Sequence, residues 1–283
     1  MTGLQDKSIA RLNRIIKILN EYKTPMTVRQ IFYQFVVRAW EDNNLSAYRA
    51  IQRMIRIGRE KGQIPWSRIV DRTRRPIRYS GWSSMEDFAE AAAVSYRKNL
   101  WDDNEAYVEI WLEKQALEGF FDLTTRKWQV SLQVTRGYPS ASFLWETVQF
   151  LTQETRPIYV YYFGDFDPSG VDIERKVRRA LGEKRARVQF SREAILKEDI
   201  HLYNLPTQRV KDDDTRTRGF RARHGDRCVE LDALPPDVLR QRIEGCITRH
   251  VDIERWEALR RVEEAERETI RKVLRNLAAP GIV

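Results

Sequence analysis

The feature that most constrains this chain is a strand-like run that ends in two acidic residues. Residues Tyr159 to Phe163 are β-branched or aromatic, which is typical of a buried strand. Gly164 follows, and then two carboxylates two positions apart, Asp165 and Asp167, before a Pro-Ser-Gly turn. Open α/β sheets bind ligands at the carboxyl ends of their strands. Two carboxylates this close repel each other unless a cation lies between them, and their oxygens suit Mg²⁺.

The sequence around this run alternates between strand-like and helix-like segments. We expect strands over residues 107–112 and 130–135, each followed by a helix. This alternation predicts an α/β domain with a parallel sheet and helices on both faces. The first strand ends at Glu113, so a third carboxylate is expected beside Asp165 and Asp167. We predict that the three hold Mg²⁺, with Mn²⁺ as a substitute, and such a metal polarises a phosphodiester.

The charge of the chain is concentrated in its first third. Residues 1–100 contain 19 Lys and Arg against nine Asp and Glu, whereas residues 101–283 contain 31 against 32. This segregation predicts a nucleic-acid-binding module joined to a domain with another role. We place the first domain at residues 1–98 and the second at residues 99–283, with a helical extension at its C-terminal end.

Three helices followed by a basic extended segment make up the first domain. Apolar periodicity predicts helices over residues 6–22, from Thr27 onward, and over residues 46–61. Residues 66–79 follow as two short extended pieces rich in arginine. This order is typical of an α+β winged helix-turn-helix domain, in which the third helix and the wing meet DNA. The expected phosphate contacts are Arg49, Arg53, Arg56, Arg59, Arg72, Arg74 and Arg75.

The second helix carries a tyrosine away from its apolar stripe. That stripe includes Ile31, Phe32 and Phe35, and Tyr33 lies about 130° from its middle at about 100° per residue. Arg29 is one turn earlier on the same side. A phenol with a pKa near ~10 must be activated before it can act as a nucleophile. Tyr33 is the candidate nucleophile, on the exposed side of its helix; the alternative is that it packs against a neighbouring helix.

These motifs resemble those of one protein family. Glu113-Lys, Arg136-Gly-Tyr-Pro-Ser and Gly164-Asp-Phe-Asp-Pro-Ser-Gly are similar to the Toprim domain of the topoisomerase VI A-subunit and its meiotic double-strand-break relative. Thr27-Val-Arg-Gln-Ile-Phe-Tyr resembles the winged-helix segment of that family, where an arginine precedes two aromatics and the second is the catalytic tyrosine. The resemblance covers roughly residues 20–240 and is greatest to the compact stand-alone A-like proteins of mobile genetic elements.

The resemblance implies a winged-helix domain followed by a Toprim domain. It implies a Mg²⁺-dependent transesterase that cleaves duplex DNA through a 5′-phosphotyrosyl intermediate. Tyr33 would be the nucleophile and Arg29 would support the phosphate or the phenolate. Glu113 would take part in proton transfer as well as in metal binding. The implied assembly is a homodimer in which the tyrosine of one chain meets the metal site of the other, with a GHKL-type ATPase as a candidate partner subunit.

The chain departs from the family pattern in two respects. The first aromatic of the pair is Phe32 where the family usually has tyrosine, which leaves the nucleophile position intact. The chain is shorter than typical A-subunits and includes no ATPase segment, so ATP-driven strand passage is not expected of this chain alone. DNA binding and partner-dependent cleavage are the expectations that remain.

Three other functions share parts of this pattern. The chain could be a DNA-binding protein of this fold whose chemistry is lost or depends on a partner. It could be a Toprim nuclease in which water attacks the phosphodiester and Tyr33 is structural. Phosphatases of the haloacid-dehalogenase type also carry an Asp-x-Asp after a strand, but there the motif opens the catalytic domain. Here a strand ending in Glu113 and a basic module both come first.

The remaining segments indicate a cytoplasmic, nucleoid-associated protein with no membrane partner. No apolar run approaches membrane-spanning length, the start lacks a signal-peptide pattern, and Cys228 and Cys246 have no metal or disulfide spacing. Residues 209–225 are interpreted as a charged, solvated insertion, and residues 228–234 as a short strand. In the C-terminal helical region an apolar seam suits packing or dimerisation, formed by Trp256, Leu259, Val262, Ile270 and Val273.

Overall fold

The computed structural model describes residues 6–22, 24–69, 81–183, 188–211 and 216–278. Within these residues the chain forms eleven α-helices and six β-strands. The helices are α1 (Asp6–Glu21), α2 (Val28–Val37), α3 (Leu45–Glu60), α4 (Met85–Ser95), α5 (Glu118–Lys127), α6 (Ala141–Gln153), α7 (Pro168–Glu183), α8 (Lys197–Leu202), α9 (Thr217–His224), α10 (Pro236–Thr248) and α11 (Ile253–Ala278). The strands are β1 (Tyr107–Leu112), β2 (Ser131–Val134), β3 (Ile158–Phe163), β4 (Val188–Ala194), β5 (Gln208–Arg209) and β6 (Arg227–Cys228).

Four of the strands form a parallel sheet in the order β2-β1-β3-β4. Leu112, the last residue of β1, pairs with Val134 on one side and with Phe163 on the other. The carboxyl ends of β1, β2 and β3 therefore lie level with one another. The predicted parallel sheet and its first three strands are confirmed. The sequence does not predict β4, because this edge strand alternates polar with apolar residues and has no continuous apolar run.

Helices cover both faces of the sheet, as predicted. Trp111 and Tyr162 share one face and pack in a core with Val148 of α6 and Ile173 of α7. The opposite face carries the ring of Phe163, whose centroid lies 5.1 Å from that of Phe121 in α5. Both faces of the central strands are therefore buried, which explains their apolar composition.

The first three helices pack together around buried apolar residues. The core includes Ile15 of α1, Phe35 of α2 and Ile51 of α3, each with no solvent exposure. Helix α2 begins with a capping box, as its predicted N-cap requires. The Thr27 hydroxyl accepts from the Gln30 N–H at 3.1 Å, and the Gln30 side chain accepts from the Thr27 N–H at 2.8 Å. The three predicted helices are confirmed to within a few residues at their ends.

The predicted wing falls mostly on residues that the structure does not describe. Residues 70–80 lie outside the described ranges, and with them Arg72, Arg74 and Arg75. The described start of this segment is not extended as predicted, because Trp66–Arg68 forms a 3-10 helix. Ile69 then makes a parallel bridge to Met26.

The chain divides into two compact units. The first comprises Met1–Thr73 and Ala106–Ile247, so it contains both the three-helix segment and the four-stranded sheet. The second comprises Arg74–Glu105 and Thr248–Val283. The units therefore differ from the domains proposed at residues 1–98 and 99–283. The reason is that α2 packs on the segment just before α10, a long-range contact that sequence periodicity does not reveal.

The second unit is built from α4 and α11. Trp256 of α11 is buried and its ring lies 6.0 Å from that of Trp101. Val262 and Val273, however, are 43% and 52% exposed, so these two members of the predicted seam do not pack within the chain, and their part in dimerisation stays a prediction. Among the described residues, no helix has the length and apolar character needed to cross a membrane.

Candidate functional site

The predicted acidic residues meet at the carboxyl edge of the sheet. Glu113 follows β1, and its N–H donates to the Phe163 carbonyl oxygen at 2.9 Å. Its carboxylate oxygen Oε2 accepts from the Asp165 N–H at 3.1 Å and from the Tyr162 hydroxyl at 3.2 Å. Asp167 precedes α7, and its Oδ1 accepts from the Gly170 N–H at 2.6 Å. Glu113 and Asp165 are therefore direct neighbours, as the strand order requires.

Two glycines of the Gly-Asp-Phe-Asp-Pro-Ser-Gly motif permit this close approach. A Cβ on Gly164 would lie 2.5 Å from Oε2 of Glu113. A Cβ on Gly170 would overlap the carbonyl oxygen of Asp165 and lie 3.1 Å from Oε2 of Glu113. Neither position has room for a larger residue without displacing the acidic edge. The motif is thus a packing requirement of the site as well as a source of carboxylates.

Burial and mutual repulsion make two of these carboxylates unusually basic. Burial, together with the charges of Asp165 and Asp167, raises the pKa of Glu113 to about 7. Burial also raises the pKa of Asp165 to about 6, although the ammonium of Lys114 and the Leu231 N–H oppose the shift. An acid pair that resists ionisation in this way is stabilised by a bound cation.

Each of the three carboxylates keeps one oxygen available. Backbone N–H groups occupy Oε2 of Glu113, Oδ1 of Asp165 and Oδ1 of Asp167. The second oxygen of each accepts no hydrogen bond from the residues that the structure describes. These oxygens suit a hard cation such as Mg²⁺, which commonly binds one or two carboxylates and several waters. Across the described ranges, however, no three His, Cys, Asp or Glu side chains are already arranged to hold a metal ion.

A lysine and two further acids extend the acidic edge. Lys114 forms an ion pair with Asp232 and another, of 2.8 Å, with Glu230. Between these acids, the Leu231 N–H donates to Oδ1 of Asp165 at 2.7 Å. Burial disfavours the charged lysine, yet Asp232, Asp165 and Glu230 outweigh it and raise the pKa of Lys114. The ammonium is therefore held charged within the acidic cluster.

The same glutamate connects this edge to helix α2. Arg29 forms an ion pair with Glu230, and its guanidinium lies 5.9 Å from the centroid of the Tyr33 ring. Burial opposes ionisation of Glu230, but the charges of Lys114 and Arg29 prevail and lower its pKa. Arg29, Glu230 and Lys114 thus form a continuous chain of opposite charges. It joins the tyrosine helix to the acidic edge within one chain.

Tyr33 itself is not exposed as predicted. Its side chain is 1% exposed. Helix α2 contacts the 3-10 helix Leu231–Ala233, and Arg29, one turn before Tyr33, pairs with the adjoining Glu230. Burial and the charge of Glu230 raise the pKa of Tyr33, while Arg29 and Lys114 oppose the shift. The periodicity of one helix locates its apolar stripe correctly but gives no information about a second element that covers the other side.

The arginines predicted on the third helix lie on its outer side. Arg49, Arg53 and Arg56 are exposed, while the opposite side of α3 is buried in the three-helix core. Arg59 is partly exposed, and its guanidinium lies 4.0 Å from the ring centroid of Trp66, which is itself 63% exposed. Of the seven predicted phosphate contacts, these four form one basic surface. The other three belong to residues outside the described ranges.

Two features of the later sequence differ from the prediction. Residues 209–225 are not simply a solvated insertion, because they contain β5 and the helix α9, anchored by the buried ring of Phe220. Residues 228–234 are not a strand beyond Cys228, since a 3-10 helix follows. Sequence reasoning missed Glu230 and Asp232, although they repeat the spacing of Asp165 and Asp167. Lys114 belongs to the Glu113-Lys motif, but the sequence pattern does not predict its ion pairs with Glu230 and Asp232.

Comparison with known proteins does not identify the chain. No protein-family model matches the sequence, and no curated protein matches it either. The resemblance to the topoisomerase VI A-subunit therefore stays a prediction that rests on the short motifs. What the geometry adds is the proximity of the tyrosine helix and the acidic edge within one compact unit.

Proposed function

We propose that this protein is a DNA-binding, Mg²⁺-dependent transesterase with a winged-helix and Toprim organisation, similar to the topoisomerase VI A-subunit. The observation that carries the proposal is the ion-pair chain from Arg29 through Glu230 to Lys114. It connects the helix of the candidate nucleophile Tyr33 to the residue that follows Glu113. A nucleophile, a phosphate-binding cation and a set of metal-binding oxygens are the parts that phosphodiester exchange requires.

The chemistry divides among these residues as follows. Glu113, Asp165 and Asp167 would hold the metal, which neutralises charge on the phosphodiester when bound. The Tyr33 oxygen attacks phosphorus, the bond to the 3′-oxygen of the neighbouring nucleotide breaks, and a 5′-phosphotyrosyl ester forms. Glu113 is the candidate to accept the phenol proton and return it to the leaving 3′-oxygen. Burial and the charges of Asp165 and Asp167 raise the pKa of Glu113 to about 7 without metal, and a bound cation would favour the carboxylate form that accepts the proton.

Burial of Tyr33 imposes a condition on this function. A side chain that is 1% exposed does not reach a DNA phosphate without a movement of α2 or of the segment around Glu230. DNA phosphates would compete with Glu230 for Arg29, because guanidinium groups bind phosphate and carboxylate alike. In the proposed homodimer, release of α2 would let the tyrosine of one chain approach the acidic edge of the other. A GHKL-type ATPase is the proposed class of partner for such a movement.

The same burial favours a second function. If α2 remains packed on Leu231–Ala233, water is the nucleophile and the protein is a metal-dependent nuclease. Tyr33 is then structural, and Arg29 and Lys114 organise the acidic edge. The exposed arginines of α3 provide DNA binding in either case. The nature of the cleavage product separates the two functions.

The deciding experiment is a covalent-adduct assay. A duplex labelled in turn at each 5′ and 3′ end is incubated with the chain and Mg²⁺ or Mn²⁺, then resolved in denaturant. We expect a protein–DNA adduct that is lost in Tyr33→Phe and in Asp165→Asn. Tyr48→Phe is the matched control, because this neighbouring tyrosine also lies over Arg29, 5.7 Å from its guanidinium.

Each other outcome selects another function. An adduct that survives Tyr33→Phe refutes the assignment of the nucleophile. If DNA is cleaved but no adduct forms, and cleavage persists in Tyr33→Phe and stops in Asp165→Asn, the protein is a nuclease. Binding with no cleavage in any variant, including with a partner ATPase present, leaves a DNA-binding protein.

A further inference from the structure

Two adjoining clefts lie beside the acidic edge, at the start of α7. The first has a volume of about 590 Å³ and is lined by Asp167 and Glu230 on one side and by β5 and the residues after it on the other. The second, of about 490 Å³, lies between α7 and α9. Pro168 and Arg216 line both clefts, so the two form a continuous surface. Neither has a role in the proposed chemistry.

Among the described residues that line this surface, six are basic and four are acidic. Arg209 and Lys211 line the first cleft, are exposed, and contact no carboxylate among the residues that the structure describes. Arg175, Arg178 and Arg223 line the second cleft. Residues 212–214 are aspartates that lie outside the described ranges, so the basic walls are defined by the residues named here.

Apart from Asp167 of the acidic edge, the acidic residues of the surface have cationic or hydroxyl partners of their own, and Glu174 pairs with Arg178. Glu230 is bound by Arg29 and Lys114, as described above. Asp172 accepts from Arg175 and, at 2.8 Å, from the hydroxyl of Tyr138. Of the described cations of the first cleft, Arg209 and Lys211 are therefore left to attract an external anion.

An exposed aromatic ring lies within the same basic surface. Tyr138 is 40% exposed, with the ammonium of Lys176 at 4.3 Å and the guanidinium of Arg216 at 5.3 Å from its ring centroid. An exposed ring between cations is typical of surfaces that contact nucleic acid, where the ring stacks on sugars or bases and the cations bind phosphates. An acidic protein partner would use the cations but would not need the ring.

We infer that this surface, defined by Arg209, Lys211, Arg216 and Tyr138, binds the backbone phosphates of the DNA strand that enters the acidic edge. The identity of the ligand as DNA rests on the proposed function. Asp167 lines the first cleft, so a strand bound there continues directly to the candidate metal-binding oxygens. The surface supplies phosphate contacts on the sheet side of the molecule, in addition to those of α3.

The test is the salt dependence of DNA binding by the Tyr33→Phe chain in EDTA, because both proposed reactions require a metal. Anisotropy of a labelled duplex is measured between 50 and 200 mM salt for Arg209→Ala/Lys211→Ala. Loss of two phosphate contacts should make the slope of log affinity against log salt less negative by about 1.8. Over this range the affinity of the parent chain should then fall about 12-fold further than that of the variant.

Three controls define the result. Arg126→Ala/Lys127→Ala removes the same two residue types from the exposed end of α5 and should leave the slope unchanged. Arg53→Ala/Arg56→Ala should reduce the slope separately, and its effect should add to that of the cleft variant. Thermal unfolding should be similar in the Tyr33→Phe parent and its three double variants, because each double substitution changes exposed side chains.

An unchanged slope in Arg209→Ala/Lys211→Ala overturns the inference. The inference is also overturned if poly-glutamate displaces the labelled DNA as effectively as an unlabelled oligonucleotide of equal charge. That result would identify an acidic protein surface as the ligand class. Failure of the proposed function can be distinguished from failure of this inference. If the wild-type chain forms no adduct but the slope difference is seen, the transesterase function is contradicted and the DNA-binding surface is supported.

Discussion

Substitution of Glu113 by glutamine should stabilise the metal-free protein above neutral pH. The carboxylate of Glu113 is 9% exposed and lies beside Asp165, so its charged form is costly in the folded state. Its pKa rises from an ordinary value of 4.5 to about 7. At 1.36 kcal/mol per pKa unit, this difference corresponds to about 3 kcal/mol.

The sign of the effect follows from proton binding. Between pH 4.5 and 7 the folded chain keeps a proton on Glu113 that the unfolded chain has lost, so the free energy of unfolding falls as the pH rises. Glutamine is neutral at every pH, and its carbonyl oxygen can accept the same hydrogen bonds from Asp165 N–H and the Tyr162 hydroxyl. The stability difference should therefore grow from near zero at pH 4.5 to about 3 kcal/mol at pH 8.

The assay is urea unfolding of wild type and Glu113→Gln in EDTA, at several pH values from 4.5 to 8.5. Glu198→Gln, an exposed carboxylate on α8, is the control and should change stability equally across the range. With Mg²⁺ added, wild type should gain stability and Glu113→Gln should gain less, because a ligand has been removed. A stability difference that is constant with pH, or that favours wild type at pH 8, would refute the reasoning.

Two further predictions concern the neighbours of this residue. Gly170→Ala should destabilise the protein by about 1–3 kcal/mol, since its Cβ would overlap the Asp165 carbonyl oxygen. Gly182→Ala in the same helix, where a Cβ meets nothing within 4 Å, should not destabilise it; equal losses in urea unfolding would contradict the packing argument. Glu230→Gln removes the carboxylate that binds Arg29 to Lys114, so nitration of Tyr33 by tetranitromethane, followed by mass spectrometry, should become faster. Glu244→Gln, which instead loses a pair with Lys127, should leave the rate unchanged, and equal rates in the two variants would count against α2 release.

The parallel sheet and its acidic edge are predictable because the information is local. Strand β3 is a continuous apolar run and β1 is interrupted only by Glu109, and a carboxylate follows each strand within a residue or two. Parallel pairing then places the strand ends at one edge without further information. The same local logic predicts the start of α2 at Thr27 and the basic outer side of α3. Strand β4 is not predicted, because its polar residues occupy an edge position, where one side of the strand remains unpaired.

The covering of Tyr33 is not local and could not be predicted in this way. Helix α2 buries residues almost all round, including Gln30 and Gln34, which a helix with one packed side would expose. Glutamine is a residue type that is mostly exposed, so the sequence pattern assigns this side of α2 to solvent and nothing in it marks the covering element. Glu230 and Asp232 repeat the spacing of Asp165 and Asp167, but this spacing does not show what they contact.

The proposed transesterase would need two states of this site, with opposite electrostatic requirements. With α2 packed, Glu230 satisfies Arg29 and Lys114, and its charge helps to keep the Tyr33 phenol protonated. A bound phosphodiester would supply negative charge to the same two cations and remove the need for Glu230. DNA binding and exposure of the tyrosine would then be coupled, because a DNA phosphate and the Glu230 carboxylate would compete for the Arg29 guanidinium. Such coupling would restrict cleavage to chains that already hold their substrate, which a protein that breaks DNA requires.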